Sequence, residues 1–277
     1  MFLSLSTHAA AAIRVEVHAS RLTPGDVGWL HVRGVPARAM IEGSIAGRPL
    51  HFFSYADGQA ALLGLDLDTA AGTLPWTVEV VDAEDERRVF RGAVDVGSRR
   101  FVVQRLTVPP SMSDLDPETE RRAVAESAKL RTLYRVVTPE RLWQGRFLRP
   151  VEGTDPGTGF GARRVINGQP RMPHSGLDFP APLGAPIVAA NGGRVALVAE
   201  YFFPGRLVVI DHGLGLYTLY FHLQSASVVE DELVERGQRI GTVGASGRVT
   251  GPHLHFGVQL GAARVDPAAL LRLGVSH

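Results

Sequence analysis

The stretch Gly251-Pro252-His253-Leu254-His255-Phe256 decides how the rest of the chain is read. Its two histidines stand one residue apart, and side chains on a strand alternate, so both face the same side. Upstream, His174-Ser175-Gly176-Leu177-Asp178 adds a third imidazole and a carboxylate. His174 and Asp178 are four residues apart. On a fully extended strand they would lie about 13 Å apart at ~3.3 Å per residue, too far to share one ion. A helix could bring them together, but Pro173, Gly176 and Pro180 argue against one. The spacing therefore predicts a bend at Ser175-Gly176, where a glycine suits a sharp turn.

The remaining composition limits the chemistry available to these groups. The chain has 277 residues and no cysteine, so any metal must rest on histidine and carboxylate. A net charge of +1 gives no sign of nucleic acid or an acidic membrane as partner. No apolar run reaches the ~20 residues needed to span a bilayer. Met1-Phe2-Leu3-Ser4-Leu5 followed by Ala9 to Ala12 looks like the remnant of an export signal or a misplaced start, although the basic start of a full signal is lacking.

Outward from the motifs, the chain reads as mainly β. Ile13 to Val17 and Trp76 to Val80 alternate with period two, and Pro24-Gly25-Asp26, Asp57-Gly58 and Ala71-Gly72-Thr73 mark turns. That pattern predicts a β-sandwich-like module over residues 1–108. His8, His18, His31 and His51 are scattered through it without carboxylate partners, and are expected to be surface or core histidines. Residues 109–142 read as a helical linker. Asp116 is a good N-cap, Pro117 suits the first helical position, and Glu118 and Glu120 suit the positive end of the dipole. The helix should run over residues 118–134 with a partial apolar stripe at Leu130 and Leu133, lie on a surface between domains, and end before Pro139. Residues 143–277 return to strands, including 187–189, 195–198, 207–210, 216–223 and 256–260, and predict a largely antiparallel sheet with an open groove. His212 precedes Gly213 at an expected hairpin turn, and His277 is terminal.

Three ligands such as His174, Asp178 and His255 would leave a zinc ion one open position, as in catalytic sites. Zinc in such a site makes water more acidic and polarises a carbonyl. His253, on the face of His255, could then serve as a general base, and His222, sharing a face with Tyr220, could stabilise an oxyanion. The sequence by itself leaves open which of His253 and His255 binds the metal.

The C-terminal half resembles the lysostaphin/LytM-type zinc metalloendopeptidases that cleave peptide cross-links in bacterial peptidoglycan. The resemblance rests on His174-Ser175-Gly176-Leu177-Asp178, Val209-Ile210-Asp211-His212-Gly213-Leu214-Gly215, Tyr220-Phe221-His222-Leu223, Gly237-Gln238-Arg239-Ile240-Gly241, and Gly251-Pro252-His253-Leu254-His255-Phe256, in family order. It implies one zinc ion per chain held by His174, Asp178 and His255, with His222 and His253 as the catalytic histidines. It implies peptidoglycan stem peptides or their bridges as substrate, and export to the periplasm or cell envelope. The N-terminal half looks like the β module that precedes this domain in many exported relatives. One departure is Gly257, where members commonly carry Glu. Another concerns latency: some relatives are silenced by an asparagine from an N-terminal segment, and here no asparagine precedes Asn167. The rival readings are a catalytically inactive wall-binding regulator that activates a separate amidase, and a wall-binding module without turnover. An intact ligand set argues against the first, and the second predicts wall binding that persists with a chelator and no hydrolysis.

Overall fold

Alternation along each strand separates a buried row from an exposed one, and in the first half of the chain it produces two sheets. The computed structural model describes residues 12–18, 22–107, 115–157 and 159–274; the signal-like N-terminus, His8 and His277 lie outside them. Strands β1 (Arg14–His18), β2 (Val27–Arg33), β5 (Phe52–Tyr55) and β6 (Gly58–Gly64) form an antiparallel sheet in the order β1-β2-β6-β5. Strands β3 (Met40–Ile45), β4 (Arg48–Pro49), β7 (Gly72–Val81) and β8 (Arg87–Val96) form a second in the order β4-β3-β7-β8. Leu30, Val32, Ala61 and Leu63 from the first meet Ile45, Trp76, Val78 and Val80 from the second in one core. This is the expected sandwich. Two of its histidines depart from expectation: His18 lies beside Glu16, two residues away on the same face of β1, and His31 lies beside Asp57, which the turn between β5 and β6 brings against β2.

Strand β9 (Val103–Leu106) leaves the sandwich and pairs in parallel with β10 (Arg163–Ile166), which turns back into β11 (Gln169–Pro170). Between them runs α1 (Pro117–Leu133), capped by the Asp116 carboxylate, which accepts from the backbone N–H groups of Glu118 and Thr119. Leu130, Leu133 and the following Tyr134 pack on Leu207, Val209, Tyr217 and Leu219, so the helix covers part of the C-terminal sheet.

That sheet contains β12 (Gly176–Pro180), β14 (Gly193–Tyr201), β15 (Gly205–Asp211), β16 (Leu216–Ala226), β17 (Leu233–Val234) and β19 (His253–Leu260), in the order β12-β19-β16-β15-β14-β17. Strands β13 (Pro186–Val188) and β18 (Arg239–Val243) pair with each other and extend from β16, while β20 (Ala263–Val265) pairs with β19. The last helix, α2 (Pro267–Arg272), is capped by Asp266. One face of the sheet is apolar, with Tyr220, Leu254, Phe256 and Val258 packed into a core that also takes Phe53, Ala60 and Leu62 from the sandwich. Trp143 sits at that seam, edge-on to Phe53, and Arg141 stacks over both rings. Across the seam Arg264 donates to both carboxylate oxygens of Asp66, and Arg99 donates to Asp266.

A buried polar ladder lies beneath the sheet. His212 does sit at the β15–β16 turn, but it is also fully enclosed. Its Nδ1 lies 2.6 Å from the Gly192 carbonyl oxygen and its Nε2 lies 2.7 Å from Thr218 Oγ1. A carbonyl only accepts, so Nδ1 carries the proton and Nε2 accepts from the Thr218 hydroxyl. Thr218 then accepts from Tyr220 Oη–H, which itself accepts from the Ala190 N–H at 2.8 Å. This single proton order satisfies every member.

Gly176 does not form the bend expected of it. It opens β12 without a positive φ. Its missing Cβ would stand 2.5 Å from the Phe256 carbonyl oxygen and 2.6 Å from His255 Nε2. Glycine is required here by the closeness of β19, not by a turn.

Two outcomes follow from this packing. Gly176→Ala forces β12 from β19 and should cost about 1–3 kcal/mol of stability in urea unfolding, as overpacked cores do; an unchanged midpoint would show that the strands can part freely. Burial pushes His212 down to about 4. Its unfolded value is ~6.5, so its contribution to stability is full above that pH and is lost as the pH falls towards the folded value. In the folded protein the His212 ring resonances should therefore stay flat from pH 7.5 to 5. An inflection near pH 6.5 would contradict the enclosed ladder.

Candidate metal centre

The register between β12 and β19 sets Asp178 directly opposite His255, with Gly176 opposite Gly257 and Pro180 opposite His253. Directly opposed side chains on one sheet face are near neighbours. His174, just before β12, is held by backbone hydrogen bonds from its N–H to Ala162 and from Gly161 to its carbonyl. Gly159 lies against its ring, where a Cβ would stand 2.8 Å from Nδ1. These elements bring three donor atoms together. His174 Nε2 is 2.9 Å from His255 Nδ1 and 3.0 Å from Asp178 Oδ1, and His255 Nδ1 is 3.0 Å from the same oxygen.

Hydrogen bonds alone satisfy this triangle poorly, because each ring nitrogen directs one lone pair or one proton, not two. A shared cation satisfies all three lone pairs together. Zinc bonds of ~2.0–2.1 Å imply a tetrahedral edge of about 3.3 Å, close to the spacing found. With two imidazoles and a carboxylate and no thiolate, the donor set suits zinc. The electrostatics agree. Burial alone would raise the Asp178 carboxyl, but hydrogen bonds from His174 and His255 outweigh it and hold the group well below the usual carboxylate range. Burial lowers His255, leaving its imidazole neutral near pH 7 and able to ligate.

Two further histidines border the triangle. His253 Nε2 is 3.8 Å from Asp178 Oδ1, and the His222 and His253 rings are 4.9 Å apart. The Nδ1 of His253 lies 2.9 Å from the Gly251 carbonyl oxygen, and the Nδ1 of His222 lies 3.0 Å from that of Ser246. Both carbonyls demand a proton on Nδ1, so in the neutral rings each Nε2 keeps its lone pair. Burial, reinforced by the neighbouring His255, pushes His222 down to about 4.

His222 reaches this face by an irregular route. Simple alternation would place it with Tyr220, which points into the core. Instead the β15–β16 register shifts between Arg206/Leu223 and Val208/Tyr220, and His222 takes a φ of 67°. A bulge inserts one residue and flips the side chains after it. Phe221 and His222 therefore both contact the His cluster, with Phe221 stacked on His255 at 5.3 Å. All five sequence-selected residues are thus brought together. Sequence reasoning missed Phe221, Gly159 and the carbonyls of Ser246 and Gly251. A backbone carbonyl leaves no signal in side-chain identity. Gly257, noted above as the departure from the resembled family, faces Leu219 at ordinary contact distance for an added Cβ, so the absence of a side chain there is not forced by space.

Comparison with known proteins places this geometry in context. Residues 172–267 match the model of peptidase family M23. The peptidoglycan DD-endopeptidase ShyB of Vibrio cholerae is 43% identical over 95 residues, covering 34% of this chain and 22% of that protein. ShyC of the same organism, also a peptidoglycan DD-endopeptidase, is 42% identical over 119 residues, covering 42% and 27%. The chain thus spans about a quarter of the length of such relatives. Over nearly its full length it is similar to a crystal structure from Pseudomonas aeruginosa assigned to peptidase M23, at 32% identity and a TM-score of 0.71, covering 91% of this chain and 95% of that one. With the His-Asp-His triangle set inside the matched region and the likeness running through both halves, the chain belongs to peptidase family M23.

Proposed function

We propose that this protein is a zinc-dependent endopeptidase that hydrolyses peptide cross-links of bacterial peptidoglycan. The observation that carries the reading is the donor triangle of His174, Asp178 and His255 bordered by two histidines whose Nε2 lone pairs take no hydrogen bond among the described residues. In this reading the three residues hold one zinc ion per chain, and the ion supplies Lewis acidity towards the scissile carbonyl and towards water. The names of the related endopeptidases support a D,D cross-link as the bond class, and an extracytoplasmic place of action. Among the described residues no helix is long and apolar enough to cross a membrane.

The remaining chemistry belongs to the side chains. Hydrolysis adds water to the carbonyl carbon, breaks the C–N bond and moves one proton to the departing nitrogen. His253 accepts the proton of the attacking water at Nε2 and delivers it to that nitrogen. The ionised Asp178, 3.8 Å away, favours the imidazolium that forms in between. His222 starts each cycle unprotonated, so its Nε2 accepts a hydrogen bond and orients the water. Donation from His222 to an oxyanion requires that it first take a proton. Phe221 and the strained backbone at His222 hold these rings in place.

Asn167 occupies the tight β10–β11 turn with a φ of 52°. We infer that no asparagine of the sandwich occupies the centre, and that the zinc-loaded full chain is active without trimming.

Three measurements test the reading. Metal analysis should find near one zinc lost on His255→Ala, while His253→Ala keeps that zinc but loses roughly 10²–10⁴-fold in peptidoglycan hydrolysis. A zinc-loaded wild type that hydrolyses no peptidoglycan would favour the wall-binding regulator. A chelator should abolish hydrolysis and added zinc restore it; full activity in the metal-free protein would sink the metal mechanism.

A further inference from the structure

A second set of metal-type donors lies on the sandwich, on strands that contribute nothing to the first centre. Glu16 stands directly across from His31 in the β1–β2 ladder, and His18, two residues along β1, shares its face. The donor atoms of these three residues lie within 4.8 Å of one another. His18 Nε2 is 3.6 Å from Glu16 Oε2. Asp57, from the turn between β5 and β6, brings Oδ1 to 3.5 Å from His31 Nε2.

The decisive detail is the His31 ring. Its side chain is only 5% exposed, and Nε2 is buried with no hydrogen-bond partner among the described residues. A buried imidazole nitrogen left unpaired costs ~1–3 kcal/mol. Here it stands 3.5 Å from Asp57 Oδ1, too far for a good hydrogen bond, in a ring whose donor atom lies within 4.8 Å of those of Glu16 and His18. The His18–Glu16 separation of 3.6 Å is close to the ~3.3 Å edge expected around an ion with bonds of ~2.0–2.1 Å, and the full set, within 4.8 Å, would draw together on binding one.

The surroundings hold the donors in place. The His18 ring stacks on Trp29 at 3.9 Å, and Tyr55 meets His31 edge-on at 5.2 Å. Arg33 donates to Asp57 through Nε at 2.9 Å and stands 3.8 Å from Glu16, so it competes for both carboxylates while keeping Asp57 ionised. Burial lowers His31 from its ordinary value, which leaves its lone pair available.

We propose that Glu16, His18 and His31, with Asp57 beside His31, form a second divalent-cation site that takes zinc. The site joins β1, β2 and the β5–β6 turn, on the sheet whose Phe53, Ala60 and Leu62 pack into the peptidase core. A cation there would clamp that sheet at the seam and play no direct part in hydrolysis.

Equilibrium dialysis of the full chain against zinc, followed by metal analysis, tests this. Wild type should take up about two equivalents, and Glu16→Gln and His18→Gln about one each, with affinity at the altered site falling roughly tenfold or more. Both side chains are about 40% exposed, so these variants should fold. His255→Ala should also retain about one equivalent. In that variant, added zinc should shift the ring resonances of His18 and His31, which separates this site from the peptidase centre. A single equivalent in the wild type, a second equivalent that survives both substitutions, or unshifted His18 and His31 resonances would each overturn the proposal.

Discussion

Asp178 and His255 oppose one another across β12 and β19, and the rest of the metal centre depends on how closely those two strands run. The approach is set by an absence of atoms. At Gly176 any side chain would collide with the Phe256 carbonyl and the His255 ring, so the ladder closes only because nothing projects there. The same register places Leu254 and Phe256 on the apolar face and His253 and His255 on the other. A slip of one residue would put the Asp178 carboxylate opposite Leu254 or Phe256 and turn both histidines into the core. Burying those polar groups without hydrogen-bond partners would be costly. The apolar core on one face thus fixes the donor triangle on the other.

Strand β16 supplies the next constraint. Below the bulge its residues follow alternation, and Thr218 and Tyr220 join the buried ladder that ends on His212 and Ala190. Above it, the positive φ at His222 reverses the alternation and turns that ring towards His253 and His255. A non-glycine residue in this conformation carries strain, tolerated where the surroundings determine it. Here they do: the His222 N–H donates to Pro204 and its Nδ1 is set against Ser246. The fully satisfied ladder anchors the lower half of the strand so that the upper half can be irregular. Rigidity beneath and strain above are two parts of one arrangement, which presents a neutral imidazole to the centre.

Much of this was legible in local sequence. The His-x-His pair needed only the period of a strand, the helix over 117–133 only its cap and first turn, and the sandwich only alternation and turn residues. What escaped was non-local. The purpose of Gly176 depends on a strand nearly eighty residues away, and a bend was the natural local reading of a glycine between two donors. His222 was placed beside Tyr220 because a bulge has no composition of its own. The carboxylates near His31 come into reach through the β1–β2 register, which sets Glu16 opposite it, and the β5–β6 turn, which brings Asp57. The parallel pairing of β9 with β10 joins segments separated by a whole helix. Chemistry carried by neighbours in sequence can be read from sequence; chemistry carried by register cannot.

The seam between the halves follows the same rule. Read locally, residues 109–142 form a linker, and a linker invites the view of two separable units. The packing is more demanding. Phe53, Ala60 and Leu62 of the sandwich share a core with Leu254, Phe256 and Val258 of the peptidase sheet, and Trp143 fills the space between them. Each fully buried side chain of this kind contributes ~1.5–3 kcal/mol by leaving water. The bidentate Arg264–Asp66 pair adds geometric specificity across the same boundary. Helix α1 closes part of the face that carries the metal centre, with Leu130 and Leu133 against Leu207 and Val209. Removing the first half would therefore strip apolar cover from both faces of the peptidase sheet. The sandwich and helix are part of what keeps the β12–β19 register, and with it the donor triangle, in place.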